Sequence, residues 1–496
     1  MSTEESLINQ RLEKLQEIRK LDVDPYPYSY NKTHDAKEIL KEFSHLKAEE
    51  KTNNKVSIAG RLITIRGMGK AAFAHMQDAT EKIQVYIRED EVGEKNYALF
   101  KKLDMGDIVG IEGLVFKTKT GEITVWIKKL ELLCKSLRPL PEKFHGLKDV
   151  EIRYRQRYVD LIANPEVREV FRKRTQITKA VRDFLEEKGY IEVDIPTLQP
   201  QYGGANARPF KTHINAWNMP LYLSISPELY LKRLIVGGFE KVYSLSKNFR
   251  NEGADKTHNP EFTMMECYAA YQDYNDMMQL TEDLYCYVAK KVLGTTKIEY
   301  QGKEIELKKP WKRITMSDAL KEYGKLDLKK YSDKQLYEKA KELNLEVTNK
   351  TPLGLVIQAL FEELVEEHLI QPIFITDHPK ETTALCKEKR GNEELIERFE
   401  PFINGWEMGN AYSELNDAIK QKELLKKQEE EGRGGNEEYH PMDEDFINAL
   451  EIGMPPTGGL GLGIDRMIML LTNASTIRDV IFFPTMRPKT DEESKE

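Results

Sequence analysis

Three kinds of chemically capable side chain crowd into one stretch: Asn248-Phe249-Arg250-Asn251-Glu252-Gly253, then His258-Asn259-Pro260-Glu261-Phe262. A guanidinium, a carboxylate and an aromatic ring side by side suit a nucleotide, whose phosphates need a cation and whose base offers a flat face. Beyond the turn, Phe262, Met264, Glu266 and Tyr268 alternate with Thr263, Met265 and Cys267. On a strand this alternation presents a ring, a carboxylate and a phenol on one face. A carboxylate in an apolar strand needs a cation or donors, which singles out Glu266.

Two later segments add chemistry. Glu400 and Glu407 flank the strand-like Phe402-Ile403-Asn404-Gly405-Trp406, and Asn410, Tyr412 and Glu414 follow at alternate positions. Paired carboxylates beside a nucleotide hold Mg²⁺ through oxygen ligands; on spacing alone two glutamates this close are more often solvated surface. Gly458-Gly459-Leu460-Gly461-Leu462-Gly463 leads into a helix in which Ile464, Met467, Ile468 and Leu471 share a face and Arg466 sits in the first turn. Glycines admit close backbone approach and a helix N-terminus favours anions, so this segment reads as a phosphate site. Its spacing is neither the dinucleotide fingerprint nor a Walker loop.

The elements that position these residues follow from periodicity. Lys241 to Arg250 reads as the strand entering the Arg250 turn, and Pro227 to Leu234 as a helix start. Asn164-Pro165 begins a helix running to Gly189, followed by the strand Tyr190 to Pro196, whose proline places it at a sheet edge. That edge is either a dimer surface or ordinary packing. Upstream, strands beginning at Val56, Phe73, Ile83, Ile108 and Ile123, with a helix near Asn96 to Leu103, describe a small OB-type barrel. On it, Phe73 with Arg66 and Gln84 offers a stacking plate and base-edge hydrogen bonds for single-stranded nucleic acid; Phe73 reads equally as barrel core. The segments 4–20 and 35–50 each suit a helix, Gln421 to Asn436 an exposed mobile stretch, and the end from Thr485 a disordered acidic tail.

Composition sets the frame. A chain of 496 residues, 40% hydrophobic and 32% charged, supports more than one globular domain. No run approaches the ~18 apolar residues of a membrane span, and the first residues lack a secretory signal, so a cytoplasmic protein is expected. Cys134, Cys267, Cys286 and Cys386 lie too far apart for a zinc or redox motif and read as reduced thiols. A net charge of −8 argues against an all-over basic coat, although residues 101–148 carry ten Lys/Arg against six Asp/Glu. The expected division is a helical arm over 1–54, the OB-fold barrel over 55–137, a linker over 138–150, a second domain over 151–488 and an acidic tail over 489–496.

Together these segments resemble the class II aminoacyl-tRNA synthetases. The helix to Gly189 with the strand closing at Pro196 is similar to motif 1, Phe249-Arg250-Asn251-Glu252 with the next strand to motif 2, and Gly461-Leu462-Gly463-Ile464-Asp465-Arg466 to motif 3. The leading barrel points to the lysine, aspartate and asparagine subgroup. Gly203 to Phe210, His258 to Glu266 and Gly409 to Asp417 look like its lysine-specific members.

The resemblance implies an α+β fold: an N-terminal OB-fold barrel, then a catalytic domain with an antiparallel sheet flanked by helices. It implies activation of L-lysine with ATP and transfer to tRNA(Lys), with Mg²⁺, by a homodimer. Arg250 and Arg466 would be catalytic. Arg250, Glu252, His258, Asn259, Phe262, Glu400, Glu407 and Arg466 would bind ATP, with Glu400 and Glu407 holding the metal. Gly204, Glu228, Arg250, Glu266, Tyr268, Asn410, Tyr412 and Glu414 would bind lysine, and Arg66, Phe73 and Gln84 the anticodon. The alternatives are an aspartate- or asparagine-specific relative, a tRNA-binding factor, or a lysine-activating paralogue that modifies a protein. The arm lacks the Lys-rich extension of many eukaryotic members.

Overall fold

The period-two segments of the first part form five strands: β1 (Lys51–Met68), β2 (Ala71–Gln77), β3 (Lys82–Arg88), β4 (Ile108–Lys117) and β5 (Ile123–Cys134). They close into a barrel in the order β1-β2-β3-β5-β4, with β3 and β5 parallel and the other pairs antiparallel. Alternation decides what fills it. Ala72, Ala74 and Met76 of β2 turn inward onto Val85, Val109 and Val125, while Phe73 and His75 turn outward. Phe73 is therefore not barrel core. A helix over Glu89–Lys102, kinked at Gly93, connects β3 to β4 and starts earlier than Asn96. The N-terminal helix spans Thr3–Lys20; the next spans only Ala36–Glu42, held at its start by a reciprocal Asp35–Glu38 capping box.

The computed structural model describes residues 3–141, 147–432 and 441–488, in two units, Met1–Lys148 and Asp149–Glu496. In the second unit a ten-stranded sheet carries β6 (Ile191–Glu192), β7 (Lys241–Phe249), β8 (Glu261–Ala270), β9 (Lys312–Thr315), β10 (Ile373–Pro379), β11 (Asn392–Ile403), β12 (Gly409–Ser413) and β13 (Thr457–Gly463). Their order is β9-β10-β11-β12-β13-β8-β7-β6, antiparallel except at the two edge pairs. Two further two-residue strands, Glu388–Lys389 and Trp406–Glu407, pair with β11. The strand expected to reach Pro196 is the edge strand β6, which stops at Glu192.

One face of this sheet is covered by the helices Pro165–Glu187, Tyr274–Leu293 and Ile464–Thr472. Their Ile177, Val181, Leu284 and Ile468 pack with Met265, Cys267, Leu460 and Leu462 in a single core. The opposite face of β8, β12 and β13 is thereby left for chemistry. Arg174 fastens the two layers: it pairs with Asp465 at 2.5 Å and donates to Thr263 Oγ1 at 3.1 Å, while Asp465 also accepts the Thr263 backbone N–H at 2.7 Å.

Two expectations need correction, and a third takes a definite form. The glycine-rich segment, read as a phosphate site, is the interior strand β13, which runs directly into the helix that carries Arg466. Phe402 to Trp406 is a hairpin, because Asn404 and Gly405 both adopt positive φ and fold Trp406–Glu407 back onto β11. The charged segment from Gln421 is ordered helix over Ala418–Gly432, with Gln421 and Leu425 buried; its remainder to Asn436 lies outside the described residues, as does the tail over 489–496. Among the described residues no helix is long and apolar enough to cross a membrane. Cys267, Cys286 and Cys386 are buried and all four cysteines are unbridged.

Candidate active site

The chemical face of β8, β12 and β13 opens onto a cavity of about 380 Å³. It is lined by Gly204, Glu228, Arg250, Glu252, His258, Asn259, Phe262, Glu266, Tyr268, Glu407, Asn410, Tyr412, Glu414 and Arg466, drawn from segments far apart in sequence. Every residue expected to meet ATP or lysine is in this set except Glu400. That side chain is buried behind the cavity wall, ion-paired to Arg398.

At one end, β7 and β8 pair antiparallel from Lys241↔Ala269 to Phe249↔Glu261, and the loop between them carries Arg250. The Arg250 backbone N–H donates to Pro260 O at 2.9 Å, closing the loop, and its guanidinium lies 5.1 Å from the Phe262 ring centre. Burial pulls the Arg250 pKa down, opposed by Glu252, Glu266 and Glu407. Arg466 donates to the Glu407 carbonyl and to His258 Nε2 at 2.9 Å. Because a guanidinium only donates, His258 accepts there, so its proton sits on Nδ1, which donates to Asp255 at 2.8 Å. Two guanidiniums, one ring and a neutral imidazole thus converge at this end. They suit a polyphosphate attached to a base.

The other end is acidic. Glu266 accepts from Ser226 Oγ at 2.9 Å and from the Tyr268 hydroxyl at 3.2 Å, yet burial pushes its pKa up to about 8. Burial likewise raises Glu414 to about 8 and raises Glu228. Glu414 Oε1 is buried and makes no hydrogen bond among the described residues. Glu228 adds to the rise at Glu266, and both add to the rise at Glu414; a ligand bearing cations would restore the ionised forms. Asn410 is oriented by Arg398, which donates to its Oδ1 at 3.0 Å.

Lys232, Ser226 and Arg398 were not expected from the sequence. Lys232 is fully buried and reaches Glu228 and Glu414, each at 2.5 Å. Its signal was available: Glu228 and Lys232 stand four apart on an otherwise apolar helix, Glu228–Val236. Arg398 gave none, since its neighbours on β11 are also charged.

Glu400 and Glu407 stand on the two arms of the β11 hairpin, and each raises the pKa of Glu366, which is driven up to about 8 first by its own burial. Glu400 itself is raised to about 7, chiefly by burial. No group of three or more His, Cys, Asp or Glu side chains among the described residues converges as a self-sufficient metal cage. Glu407, which lines the cavity beside the end that suits a polyphosphate, nevertheless fits Mg²⁺, which takes one or two carboxylates and completes its shell with phosphate and water; Glu400 would join it only on release from Arg398.

On the barrel, Arg66 stands opposite Phe73, and Phe73 opposite Tyr86 with ring centres 4.5 Å apart. Tyr86 continues into Phe116 and Trp126, and Lys128 sits 4.0 Å over the Trp126 ring. Gln84 donates to Glu122 at 2.6 Å and accepts from Thr124 at 2.7 Å. An outward aromatic strip with lysines and amide edges suits unstacked bases. The three further rings, Tyr86, Phe116 and Trp126, were not foreseen, nor were Lys128 and Glu122.

Comparison with known proteins agrees with this geometry. Residues 149–487 match the family model of class II tRNA synthetases (D, K and N), and residues 56–133 that of an OB-fold nucleic acid binding domain. A lysine–tRNA ligase of Carboxydothermus hydrogenoformans is 57% identical, covering 97% of this chain and 98% of its own. Lysine–tRNA ligases of Pelotomaculum thermopropionicum and Clostridium novyi are 55% and 54% identical, each covering 97% of this chain and 95% of their own.

The close fit of the acidic end can be tested at β13. A Cβ on Gly459 would lie 1.9 Å from Glu414 Oε1 and 2.5 Å from Tyr268 Cε1, both buried and unable to yield. Gly459→Ala should therefore lower stability by about 1–3 kcal/mol. Urea denaturation measures it; an unchanged midpoint would mean that these side chains relax freely.

Proposed function

The chain belongs to the class II tRNA synthetases of the Asp, Lys and Asn group, and from that premise we propose that it is an ATP-dependent enzyme joining lysine to tRNA. The observation that carries the amino-acid choice is the trio Glu228, Glu266 and Glu414 buried at one end of the cavity. An acidic substrate would meet like charge there, whereas lysine brings an ammonium at each end. The relatives at 52–57% identity are lysine–tRNA ligases. The barrel favours tRNA over a protein as acceptor of the activated lysine.

In the first step a lysine carboxylate oxygen attacks the α-phosphorus of ATP. A P–O bond forms, the bond to the β-phosphate oxygen breaks, and pyrophosphate leaves with its electron pair. Arg250, between the two ends, holds both the carboxylate and the α-phosphate. Arg466 holds the terminal phosphate, with His258 released from it or kept as a second contact. Phe262 stacks on the adenine, and Glu252 and Asn259 read its edge. Glu228 and Glu266, with Gly204, take the α-amino group; Tyr268 and Glu414 take the ε-ammonium; Asn410 and Tyr412 line the carboxylate side. In the second step a hydroxyl of the tRNA terminal ribose attacks the adenylate carbonyl, and AMP leaves. No side chain needs to become a covalent nucleophile; positioning and charge neutralisation supply the rate.

Glu407, with Glu400 freed from Arg398, would hold Mg²⁺, which supplies charge neutralisation on the phosphates. The edge strand β6, with Ile191 half exposed, supports a homodimer built on the helix Pro165–Glu187 and that edge. A cytoplasmic location goes with this role. Phe73, Arg66 and Gln84 would stack and read anticodon bases.

Two substitutions test the assignment. Glu414→Gln should raise the KM for lysine about tenfold or more and leave the KM for ATP within about twofold, in line with loss of a charged hydrogen bond; an unchanged lysine KM would remove Glu414 from the pocket. Phe73→Ala should weaken tRNA charging about tenfold while leaving lysine-dependent pyrophosphate exchange intact, as expected for one lost base stack. Equal damage to both steps would contradict an anticodon role. Charging of tRNA by the wild-type enzyme, with no lysylation of a protein acceptor, separates the ligase from its paralogues.

A further inference from the structure

Two glutamates that line the cavity, Glu228 and Glu414, share a buried cation of the protein itself. Lys232 lies on the helix Glu228–Val236 with its side chain wholly inaccessible, its Nζ 2.5 Å from Glu228 Oε1 and 2.5 Å from Glu414 Oε2. These two carboxylates face the same nitrogen from different segments, one on the helix and one just beyond β12. An ammonium is expensive to bury and does nothing for packing that a methionine would not do. Its Nζ also lies 6.0 Å from the Phe446 ring centre, the far wall of its slot.

Counting charges gives Lys232 a purpose. Glu228, Glu266 and Glu414 amount to three negative charges; Lys232 cancels one. Two remain, the number of ammonium groups on lysine, while Arg250 is left to match the substrate carboxylate. Glu228 Oε1 and Glu414 Oε2 face Lys232, which leaves Glu414 Oε1, buried and without a hydrogen bond among the described residues, for a ligand.

We propose that Lys232 is a positioning residue of the amino-acid site, a fixed internal ammonium that aims Glu228 and Glu414 and trims the pocket charge to suit a diamino acid. The proposal rests on the assignment of this cavity to lysine. Glu228 and Glu414 face Lys232 directly. Around the cluster stand Glu266 and Tyr268 on β8, Arg250 beyond β7, Tyr412 on β12, Arg398 on β11 and Cys386, whose backbone pairs with that of Glu414. Lys232 lowers the pKa of both glutamates against the effect of burial, so its removal drives them further up.

The test is lysine-dependent pyrophosphate exchange by the full-length enzyme across pH, comparing wild type, Lys232→Met and Lys232→Arg, with Glu414→Gln as reference. Lys232→Met should raise the lysine KM about tenfold near neutral pH. It should also move the acid limb of kcat/KM for lysine upward by about one pH unit, so that the defect shrinks in alkali, with the ATP KM within about twofold. Lys232→Arg, which keeps the charge, should leave that limb in its wild-type place even if its bulk raises KM. A pH-independent loss in Lys232→Met, or a limb displaced equally in both variants, would overturn the proposal and reduce Lys232 to packing. Should Lys232→Met not fold, the limb in Lys232→Arg decides alone: in place supports the proposal, displaced overturns it. If Glu414→Gln leaves the lysine KM untouched, the assignment of the cavity has failed instead.

Discussion

Everything at the site depends on keeping three carboxylates ionised in a space that water barely reaches. Glu266, Glu228 and Glu414 are each almost fully buried, and burial raises all three pKa values. Such an arrangement is tolerable only with cations close by. The protein supplies one in Lys232 and leaves the others to the substrate. Selectivity follows from the same physics, because a ligand without the second ammonium leaves a buried carboxylate unpaired.

The sheet makes this arrangement affordable. Residues of β8 alternate, so Met265 and Cys267 join the hydrophobic core while Phe262, Met264, Glu266 and Tyr268 face the cavity. Strand β13 beside it is stripped to glycine at Gly459 and Gly461, and β12 at Gly409. A Cβ on Gly409 would stand 2.2 Å from the Gly461 carbonyl. Small residues on the neighbouring strands thereby give room to the large charged ones. The salt bridge from Arg174 to Asp465, and the hydrogen bond that Asp465 accepts from β8, tie this charged face to the helices behind it.

Much of this was legible in the sequence, and the failures have physical causes. Alternation around Glu266 exposed the chemical face, and the barrel followed from five period-two segments. Spacing alone did not show that the glycines of β13 form an interior strand, because glycine admits two kinds of close approach, to a ligand or to a neighbouring side chain, and Gly459 is packed against Glu414 and Tyr268. Likewise Phe73 could be core or platform until the pleat of β2 turned it outward. Lys232 escaped notice because a Glu–Lys pair four apart on a helix is usually a surface feature; only burial makes it telling. Glu400 shows the opposite case: its type suited a metal, but its present partner is Arg398.

The central claim is that buried negative charge, matched to two ammonium groups, selects the amino acid. Amino-acid-dependent exchange of pyrophosphate into ATP tests it most directly, with lysine, norleucine and aspartate supplied in turn to the wild-type enzyme. Exchange with lysine, and none above background with norleucine, which has the carbon chain without the ε-ammonium, or with aspartate, is the predicted result. Comparable exchange with norleucine, or exchange with aspartate and none with lysine, would contradict the account.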